Sequence, residues 1–354
     1  MKKLVFNILF GFICPWLCGQ TISGTVFDAK TREPIPGVVV YLNGTTLCTT
    51  SDNEGRFLLM AGTVMNTSLI ISHLSYELLT IDKPFEYAIK DFLLKEKVNS
   101  ISEARVTADR YSREAKMMIF KEQLLGTSKA GKSCVIINEE DIVLHFDTET
   151  NSLIGSAIQP IIFENKYLGY RVTFDMHTFC VKFSQYTLDM DKAISISFFG
   201  TSSFVDQNPY NYLYAKRREE TFLTSIQYFW KSLISNTLNE SNITIYNRFK
   251  KINQNQYFTI LENTTPKKLF LIPDTNIVRK HSSVKESDIF GVIDVLFSRR
   301  HRSEIVFLTN IVSVDSYGNP SPVDKLIYFG VYGTQRLGDM LPQDYVYVKT
   351  IVAK

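Results

Sequence analysis

Three segments near the N-terminus decide the fold: the chain reads ISGTVFD at residues 22–28, PIPGVVV at 34–40 and SDNEGRF at 51–57. β-Branched and aromatic residues favour strands, whereas Gly, Pro, Asn and Asp favour the turns that join strands. Further apolar runs stand at residues 38–42, 57–59, 68–72 and 78–81. Short strands separated by regular turns are typical of a β-sandwich or barrel. We therefore predict a small β-sandwich over residues 20–98.

Residues 20–98 resemble the carboxypeptidase regulatory-like domain, a seven-stranded transthyretin-like or Ig-like sandwich that is common in exported proteins of Bacteroidota. The residues that carry this resemblance are Gly24, Val26, Asp28, Pro34, Pro36, Gly37, Val40, Gly44, Thr49, Asp52, Gly55 and Phe57. The module is attached to many different proteins, including peptidases and TonB-dependent receptors, and it carries no catalytic residues. The resemblance therefore implies a fold and a compartment, and it implies no reaction.

Residues 1–19 are predicted to be a secretory signal peptide, because a positive start precedes an apolar run over residues 4–12 and small residues follow. The run is shorter than the roughly 20 residues that a membrane span needs. Cys14 and Cys18 fit the lipid-attachment pattern poorly, so simple cleavage is expected. We expect an exported protein in the periplasm, at the outer membrane or on the cell surface.

Composition indicates a globular, β-rich protein, with 45% hydrophobic, 13% aromatic and 21% charged residues in a chain of 354. The net charge of +3 gives no argument for nucleic-acid binding. Three cysteines remain after cleavage, Cys48, Cys134 and Cys180, which is no disulfide framework. Pairing of Cys134 with Cys180 and buried free thiols both stay open.

The rest of the chain is predicted to be a polar linker at residues 99–112 and an α+β domain with antiparallel strands at residues 113–354, so the whole protein is mainly β. Strands are predicted at residues 170–176, 193–199 and 305–308, with Arg171, Thr173, Asp175 and His177 on a wet face. One long amphipathic helix is predicted at residues 219–238, with its core stripe at Phe222, Ile226, Phe229, Trp230, Leu233 and Leu238. A shorter helix is predicted at residues 113–125, with Met117, Phe120 and Leu124 facing inward.

This second region resembles the corresponding region of a group of proteins of unknown activity that carry the same N-terminal module. The segments that carry this resemblance are residues 120–126, 134–138, 164–170, the pair Arg217-Arg218 placed before a helix, and residues 339–345. The resemblance would cover nearly the whole mature chain, and it brings no known reaction with it.

Residues 126–133 read GTSKAGKS and match the phosphate-loop pattern G-x-x-x-x-G-K-[ST]. A true phosphate loop follows a strand and precedes a helix, so that the helix N-terminus faces the anion. Here the preceding residues are predicted to be helical, and residues 134–137 are predicted to be a strand. The reversed order indicates a solvated turn.

No metal site is predicted. His301 and Glu304 have the H-x-x-E spacing of zinc carboxypeptidases, but no later His supplies a third ligand, and residues 299–302 are predicted to be a basic hairpin tip. The segment Asp52-Asn53-Glu54-Gly55 lacks the ligand pattern of a calcium loop, so a turn with Gly55 at positive φ is expected. The adjacent carboxylates Glu139, Glu140 and Asp141 would point to opposite faces of a strand.

No catalytic, cofactor or metal residue is assigned, and the sequence favours a non-enzymatic envelope protein that binds a protein partner or a glycan. Peripheral association with the outer membrane and no nucleic-acid partner are expected. One alternative is a hydrolase whose site assembles in space, with Asp175, His177 and Arg171 as candidates on one strand face. Another alternative is a protein that forms an outer-membrane β-barrel or associates with one. The helix predicted at residues 219–238 is evidence against a barrel.

Overall fold

The computed structural model describes residues 20–86, 90–97, 110–247, 250–272, 284–297 and 301–347. Strands predominate over helices in these residues, and the paired strands are antiparallel except at one pairing in the N-terminal unit and at an isolated bridge. The mainly β prediction is therefore confirmed. The predicted signal peptide lies outside the described residues, as does most of the predicted linker.

The N-terminal unit is a sandwich of two sheets. Its strands are β1 (Thr21–Asp28), β2 (Val39–Leu42), β3 (Cys48–Thr50), β4 (Arg56–Met60), β5 (Leu69–Ser72), β6 (Leu79–Ile81) and β7 (Asp91–Leu94). One sheet has the order β4-β1-β7 and the other β3-β2-β5-β6. Apolar residues of both sheets meet in one core, which includes Val26, Val40 and Leu69. The predicted sandwich is confirmed, and its predicted runs correspond to β2, β4, β5 and β6.

The turn before β4 forms as the sequence predicts. The Asp52 carboxylate accepts hydrogen bonds from the backbone N–H groups of Glu54 at 3.0 Å and Arg56 at 2.8 Å. Gly55 has a φ of 73°, and a Cβ added there would lie 2.6 Å from the Val26 carbonyl oxygen. Only glycine fits this position, because the turn needs both a left-handed backbone and close contact.

Asp28 uses its carboxylate to close the turn that follows β1. Its Oδ1 accepts hydrogen bonds from the backbone N–H groups of Lys30 at 2.7 Å and Thr31 at 2.8 Å. Its Oδ2 accepts one from the Tyr76 hydroxyl at 2.9 Å. These bonds, with the backbone bond from Thr31 first, hold the pKa of Asp28 below its ordinary value. The charged form is therefore favoured by the folded state.

The variant Asp28→Asn is expected to lower the urea midpoint at pH 7 more than at pH 3. The folded-state pKa lies below the unfolded value of about 3.9, so the carboxylate stabilises the fold above that pH. This contribution is lost as the pH falls through the folded-state pKa. Urea unfolding of both proteins at the two pH values measures the difference, with the exposed Asp91→Asn as control. Equal losses at both pH values would contradict the assignment.

The middle unit contains one long central strand. Its elements are α1 (Arg113–Leu125), α2 (Lys129–Lys132), β8 (Cys134–Ile136), β9 (Ile142–Asp147), β10 (Ser152–Ala157), β11 (Ile161–Asn165), β12 (Tyr170–Phe183) and β13 (Ala193–Asp206). Strand β12 pairs with β11 and β10 along one edge and with β13 along the other. Helix α1 covers one face of this sheet with Met117, Phe120 and Leu124, which are buried as predicted.

The third unit has a core of its own. Its elements are α3 (Tyr212–Phe222), α4 (Ile226–Ile234), β14 (Ile243–Asn247), β15 (Lys250–Ile252), β16 (Phe258–Leu261), β17 (Lys267–Leu271), β18 (Gly291–Phe297), β19 (His301–Phe307), β20 (Ile311–Val314), β21 (Pro320–Ser321), β22 (Leu326–Gly330) and α5 (Val331–Thr334). The sheets have the orders β15-β14-β18-β19-β22 and β16-β17-β20-β21. They pack with α4 around Trp230 and Phe307, so the predicted α+β region contains two separate cores.

The prediction of one long helix at residues 219–238 is wrong, because the chain turns between α3 and α4. Ser225 ends the first helix by donating from Oγ to the Phe222 carbonyl at 2.7 Å. The same Oγ starts the second helix by accepting from the Tyr228 N–H at 3.1 Å. Ser and Thr compete for backbone groups in this way and so interrupt an apolar stripe. The pair Arg217-Arg218 lies inside α3, not before a helix.

The predicted core stripe survives this break in the helix. Phe222, Phe229, Trp230, Leu233 and Leu238 are buried. Ile226 is half-buried and packs against the same core. The apolar positions were therefore predicted correctly although the helix was not.

All three described cysteines are free. Cys134 on β8 lies opposite Asn165 on β11, which lies opposite Tyr170 on β12. Cys180 stands ten residues further along β12, which is about 33 Å at 3.3 Å per residue. A disulfide between these cysteines is incompatible with the sheet, because it needs Cα atoms within about 7 Å. Burial raises the pKa of the Cys134 thiol to about 12.

Tyr111 and Ser112, at the end of the predicted linker, are part of the folded middle unit. The Tyr111 ring packs on Phe146 with centroids 5.3 Å apart. Ser112 caps α1, because its Oγ accepts from the Ala115 N–H at 3.2 Å. Within the described ranges, none of the helices is long and apolar enough to cross a membrane.

Candidate ligand-binding cleft between the N-terminal sandwich and the third unit

The turn after β2 fixes the N-terminal sandwich to the middle unit. The Gly44 N–H donates to the Ser202 carbonyl at 2.6 Å, and the Phe204 N–H donates to the Thr45 carbonyl at 2.9 Å. The Tyr41 and Thr201 hydroxyls share a buried hydrogen bond of 2.9 Å. Burial raises the pKa of Tyr41 to about 12, so the phenol stays neutral at physiological pH.

A second joint connects the sandwich to the third unit through Asn66. Its side-chain amide donates to the carbonyl oxygens of Ser313 at 3.1 Å and Asn319 at 2.8 Å. Its backbone N–H donates to Asp315 Oδ2 at 3.0 Å. Through these three bonds, Asn66 of the sandwich is attached to the loop of the third unit that contains Asp315 and Asn319.

Asp315 stabilises that loop by accepting hydrogen bonds from its backbone. Its carboxylate is fully buried, and Oδ1 accepts from the backbone N–H groups of Tyr317, Gly318 and Asn319 at 2.9 to 3.0 Å. Gly318 has a φ of 97°, and an added Cβ would lie 2.3 Å from the Gln227 carbonyl oxygen. The loop is therefore rigid, because its charge is fully hydrogen-bonded and its backbone has no room to move.

A cleft of about 800 Å³ lies beside this joint. One wall is formed by the sandwich, with residues 64–68 and the turn that contains Asp82, Lys83, Phe85 and Glu86. The other wall is formed by the third unit, with Thr264, Thr265, Pro266, Lys268, Ser313 and residues 320–324. Clefts of this size between units are common ligand sites.

The walls combine hydroxyl groups, carboxylates and apolar surfaces. The hydroxyls belong to Thr67, Ser68, Thr264, Thr265, Ser313 and Ser321. Ser68 donates to Asp82 at 2.7 Å, and a hydroxyl that donates can still accept. Lys83 lies 3.6 Å from Glu86 in an exposed ion pair. Phe85 and Val323 supply the accessible apolar surface, whereas Met65 is buried in the sandwich core.

The phosphate-loop pattern lies elsewhere, at a smaller cleft of about 490 Å³. Helix α1 precedes it and β8 follows it, which confirms the predicted reversed order. The Gly131 N–H donates to Ser128 Oγ of the same segment at 2.9 Å. Ser128 Oγ also donates to the Asp339 carboxylate, whose negative charge would repel a phosphate. The segment contains the short helix α2, in which Ala130 and Gly131 are buried, so the prediction of a solvated turn is wrong.

The H-x-x-E residues do not converge. His301 and Glu304 are three residues apart on β19, so they point to opposite faces of the strand. The His301 ring stacks on Phe297 with centroids 5.4 Å apart. Arg302 pairs with the buried Asp294 at 2.9 Å. In the described ranges, no group of three His, Cys, Asp or Glu side chains could hold a metal.

The wet face of β12 forms as predicted for Arg171, Thr173 and Asp175. A β-bulge interrupts the register between Met176 and Thr178, and His177 lies in this bulge. Its ring packs edge-on against Phe199, at a centroid distance of 5.4 Å. The three candidate residues line none of the clefts described above. Glu139–Asp141 forms a short 3₁₀ turn instead of a strand.

The residues that build the cleft were not singled out by sequence analysis. The run Asp315-Ser316-Tyr317-Gly318-Asn319-Pro320 is a strong turn signal. A turn signal does not indicate which distant residue the turn contacts, and Asn66 lies 249 residues from Asp315 in the chain. Only packing of the units brings these residues together.

The seven strands in two facing sheets define the N-terminal unit as an Ig-like β-sandwich domain. Residues 22–106 match the family model of the CarboxypepD_reg-like domain. The N-terminal unit is therefore a CarboxypepD_reg-like domain, and the match extends past residue 98. Among the curated proteins, none matches this chain.

Proposed function

We propose that this protein is an exported, non-enzymatic protein of the cell envelope that binds a glycan in the cleft between the sandwich and the third unit. The observation that carries the proposal is the combination of hydroxyls, carboxylates and apolar side chains in a cleft of about 800 Å³. A sugar presents the matching surface, with hydroxyl groups at the ring edge and apolar C–H groups on the ring face. Hydrogen bonds at the edge and contact on the face fix such a ligand.

The rigid joint at Asn66 and Asp315 supports this function. The joint holds the two walls at a fixed separation, so the protein would lose little conformational entropy when a ligand binds in the cleft. Export is supported by the positive and apolar pattern of residues 1–19. A glycan of the envelope or the cell surface would then be within reach.

The variant Thr265→Trp is expected to weaken glycan binding on the order of tenfold or more, or about 1.4 kcal/mol or more. Thr265 is exposed at the lip of the cleft, so a large ring there fills space without disturbing a core. The mature protein is first screened on an array of bacterial and host oligosaccharides. Calorimetry with the selected oligosaccharide then gives the dissociation constants.

Thr148→Trp is the matched control, because Thr148 is exposed in the turn between β9 and β10, in a different unit. Its affinity should equal that of the wild type. Binding that persists unchanged in Thr265→Trp would place the glycan elsewhere. An array with no bound glycan, together with capture of an envelope protein, would replace the glycan with a protein partner.

A further inference from the structure

Strand β13 has one open edge. Strand β12 pairs with the other edge along its length. On the open side, Ser202 and Phe204 bond to the turn at Gly44 and Thr45. Backbone groups alternate between the two edges of a regular strand, so those of Ile196 and Phe198 face the same way as those of Ser202 and Phe204. No described residue is hydrogen-bonded to these two outward-facing backbone positions.

From Ser195 to Gly200, the open segment lacks the features that usually protect an edge strand. Residues 193–200 read AISISFFG, without a charge or a proline. Natural edges carry Lys, Pro or a bulge that prevents pairing with another chain. The β12–β13 pairing has two irregularities, one on β12 at His177 and one on β13 at Ile194, so β13 is regular from Ser195 onward. Ile194 and Phe199 are also exposed, at 62% and 66%.

We propose that this edge pairs with the same edge of a second copy of the protein, antiparallel about a twofold axis near Ser197. The open edge begins with β13 at Ala193 and ends at Thr201, where the Gly44–Thr45 turn takes over. Ser197 is the centre of that span. The edge already accepts backbone pairing at Ser202 and Phe204, so the contact between copies continues an existing interface.

A second copy fits this edge because the segment carries no charge. Twofold pairing sets the segment against itself, so a charge near its centre would lie close to the same charge of the other copy and repel it. An axis at Ser197 sets Ile196 of one copy against Phe198 of the other, in a hydrogen-bonded pair. The two Ser197 residues then form a non-hydrogen-bonded pair, in which Cα atoms lie about 4.5 Å apart.

The test is the oligomeric state of charge variants at Ser197. The mature wild type is expected to sediment with twice the monomer mass at micromolar to submillimolar concentrations. Ser197→Lys and Ser197→Glu each place two like charges across the axis, so both should raise the dimer dissociation constant on the order of tenfold or more. An equimolar mixture of the two variants should recover the dimer mass, which a folding defect would not allow.

Ser156→Lys is the matched control, because Ser156 is exposed on β10, an internal strand of the same sheet. This variant should remain a dimer. A wild type that stays monomeric over the whole concentration range would overturn the proposal. So would a Ser197→Lys protein that keeps the wild-type dissociation constant, or a mixture that stays monomeric.

Discussion

Replacement of Arg218 by alanine is expected to destabilise the protein by about 3 kcal/mol, the low end of the range for breaking a buried ion pair from one side, because the Asp206 side chain is 27% exposed. Arg218 lies inside α3 and is buried, and it pairs with Asp206 at 2.6 and 2.9 Å. It also donates to the Leu168 carbonyl at 2.7 Å and the Gly169 carbonyl at 3.1 Å. Its guanidinium stacks over Tyr170 at 4.0 Å. The variant removes the guanidinium from all three acceptors, although Asp206 still accepts from the Asn208 N–H at 3.0 Å and the Gly169 carbonyl from the Gln207 N–H at 3.0 Å.

Arg217→Ala is the control for this prediction. Arg217 is the neighbouring residue of the same helix and makes one carbonyl bond of 3.2 Å and one stack of 4.4 Å, both to Tyr167. We expect a loss of about 1 kcal/mol or less there, as for an exposed cation–π contact. Chemical denaturation of the three proteins gives the free energies of unfolding. Similar losses for both variants would show that Arg218 contributes only as a surface charge.

Asp315→Ala is expected to destabilise the protein by roughly 3 kcal/mol or more, because each buried donor that loses its acceptor costs about 1–3 kcal/mol. The carboxylate accepts bonds from the backbone N–H groups of Asn66, Tyr317, Gly318 and Asn319, and from the Asn319 side chain. Water can satisfy part of this set once the side chain is removed. The loss should therefore be smaller than the sum of the separate bonds.

The same variant should also loosen the joint between the sandwich and the third unit. Hydrogen exchange at residues 64–68 is expected to rise, because Asn66 loses its acceptor at 3.0 Å. Asp324→Ala is the control, since Asp324 is exposed and its carboxylate forms an exposed ion pair with the adjacent Lys325. Its free energy of unfolding should stay within about 0.5 kcal/mol of the wild type. Unchanged exchange at residues 64–68 in Asp315→Ala would disprove the role of this joint.

Local patterns predicted the sandwich strands and β8, β12, β13 and β19, and they left the other strands of the second region unassigned. Alternating burial on β12, the turn at Gly55 and the inward face of α1 all follow from residues within a few positions of each other. The helix prediction at residues 219–238 failed for a local reason as well. The apolar stripe continued past Ser225, whose hydroxyl both ends α3 and begins α4.

Two of the segments that marked the second region, residues 164–170 and 339–345, share a structural role. Asn165 donates to the Gly338 carbonyl at 2.8 Å, and Ser128 hydrogen-bonds Asp339. Further along the C-terminal segment, the Gln343 N–H donates to the Gly44 carbonyl at 2.7 Å. These segments are far apart in the chain, and they meet where the C-terminal part of the chain joins the units. Their chemistry is that of a joint between units.

The sandwich, its turns and the apolar faces of the elements follow from the amino-acid sequence, because β periodicity and backbone preferences act within a few residues. The two large cores of the second region and the contact of Asn66 with Asp315 follow from the packing of distant segments. So do the cleft beside that contact and the open edge of β13. The reason is physical: these features depend on how whole sheets pack and which backbone groups remain outside the ladder. Neither the packing of the sheets nor the unpaired backbone groups can be predicted from residues that are close together in the chain.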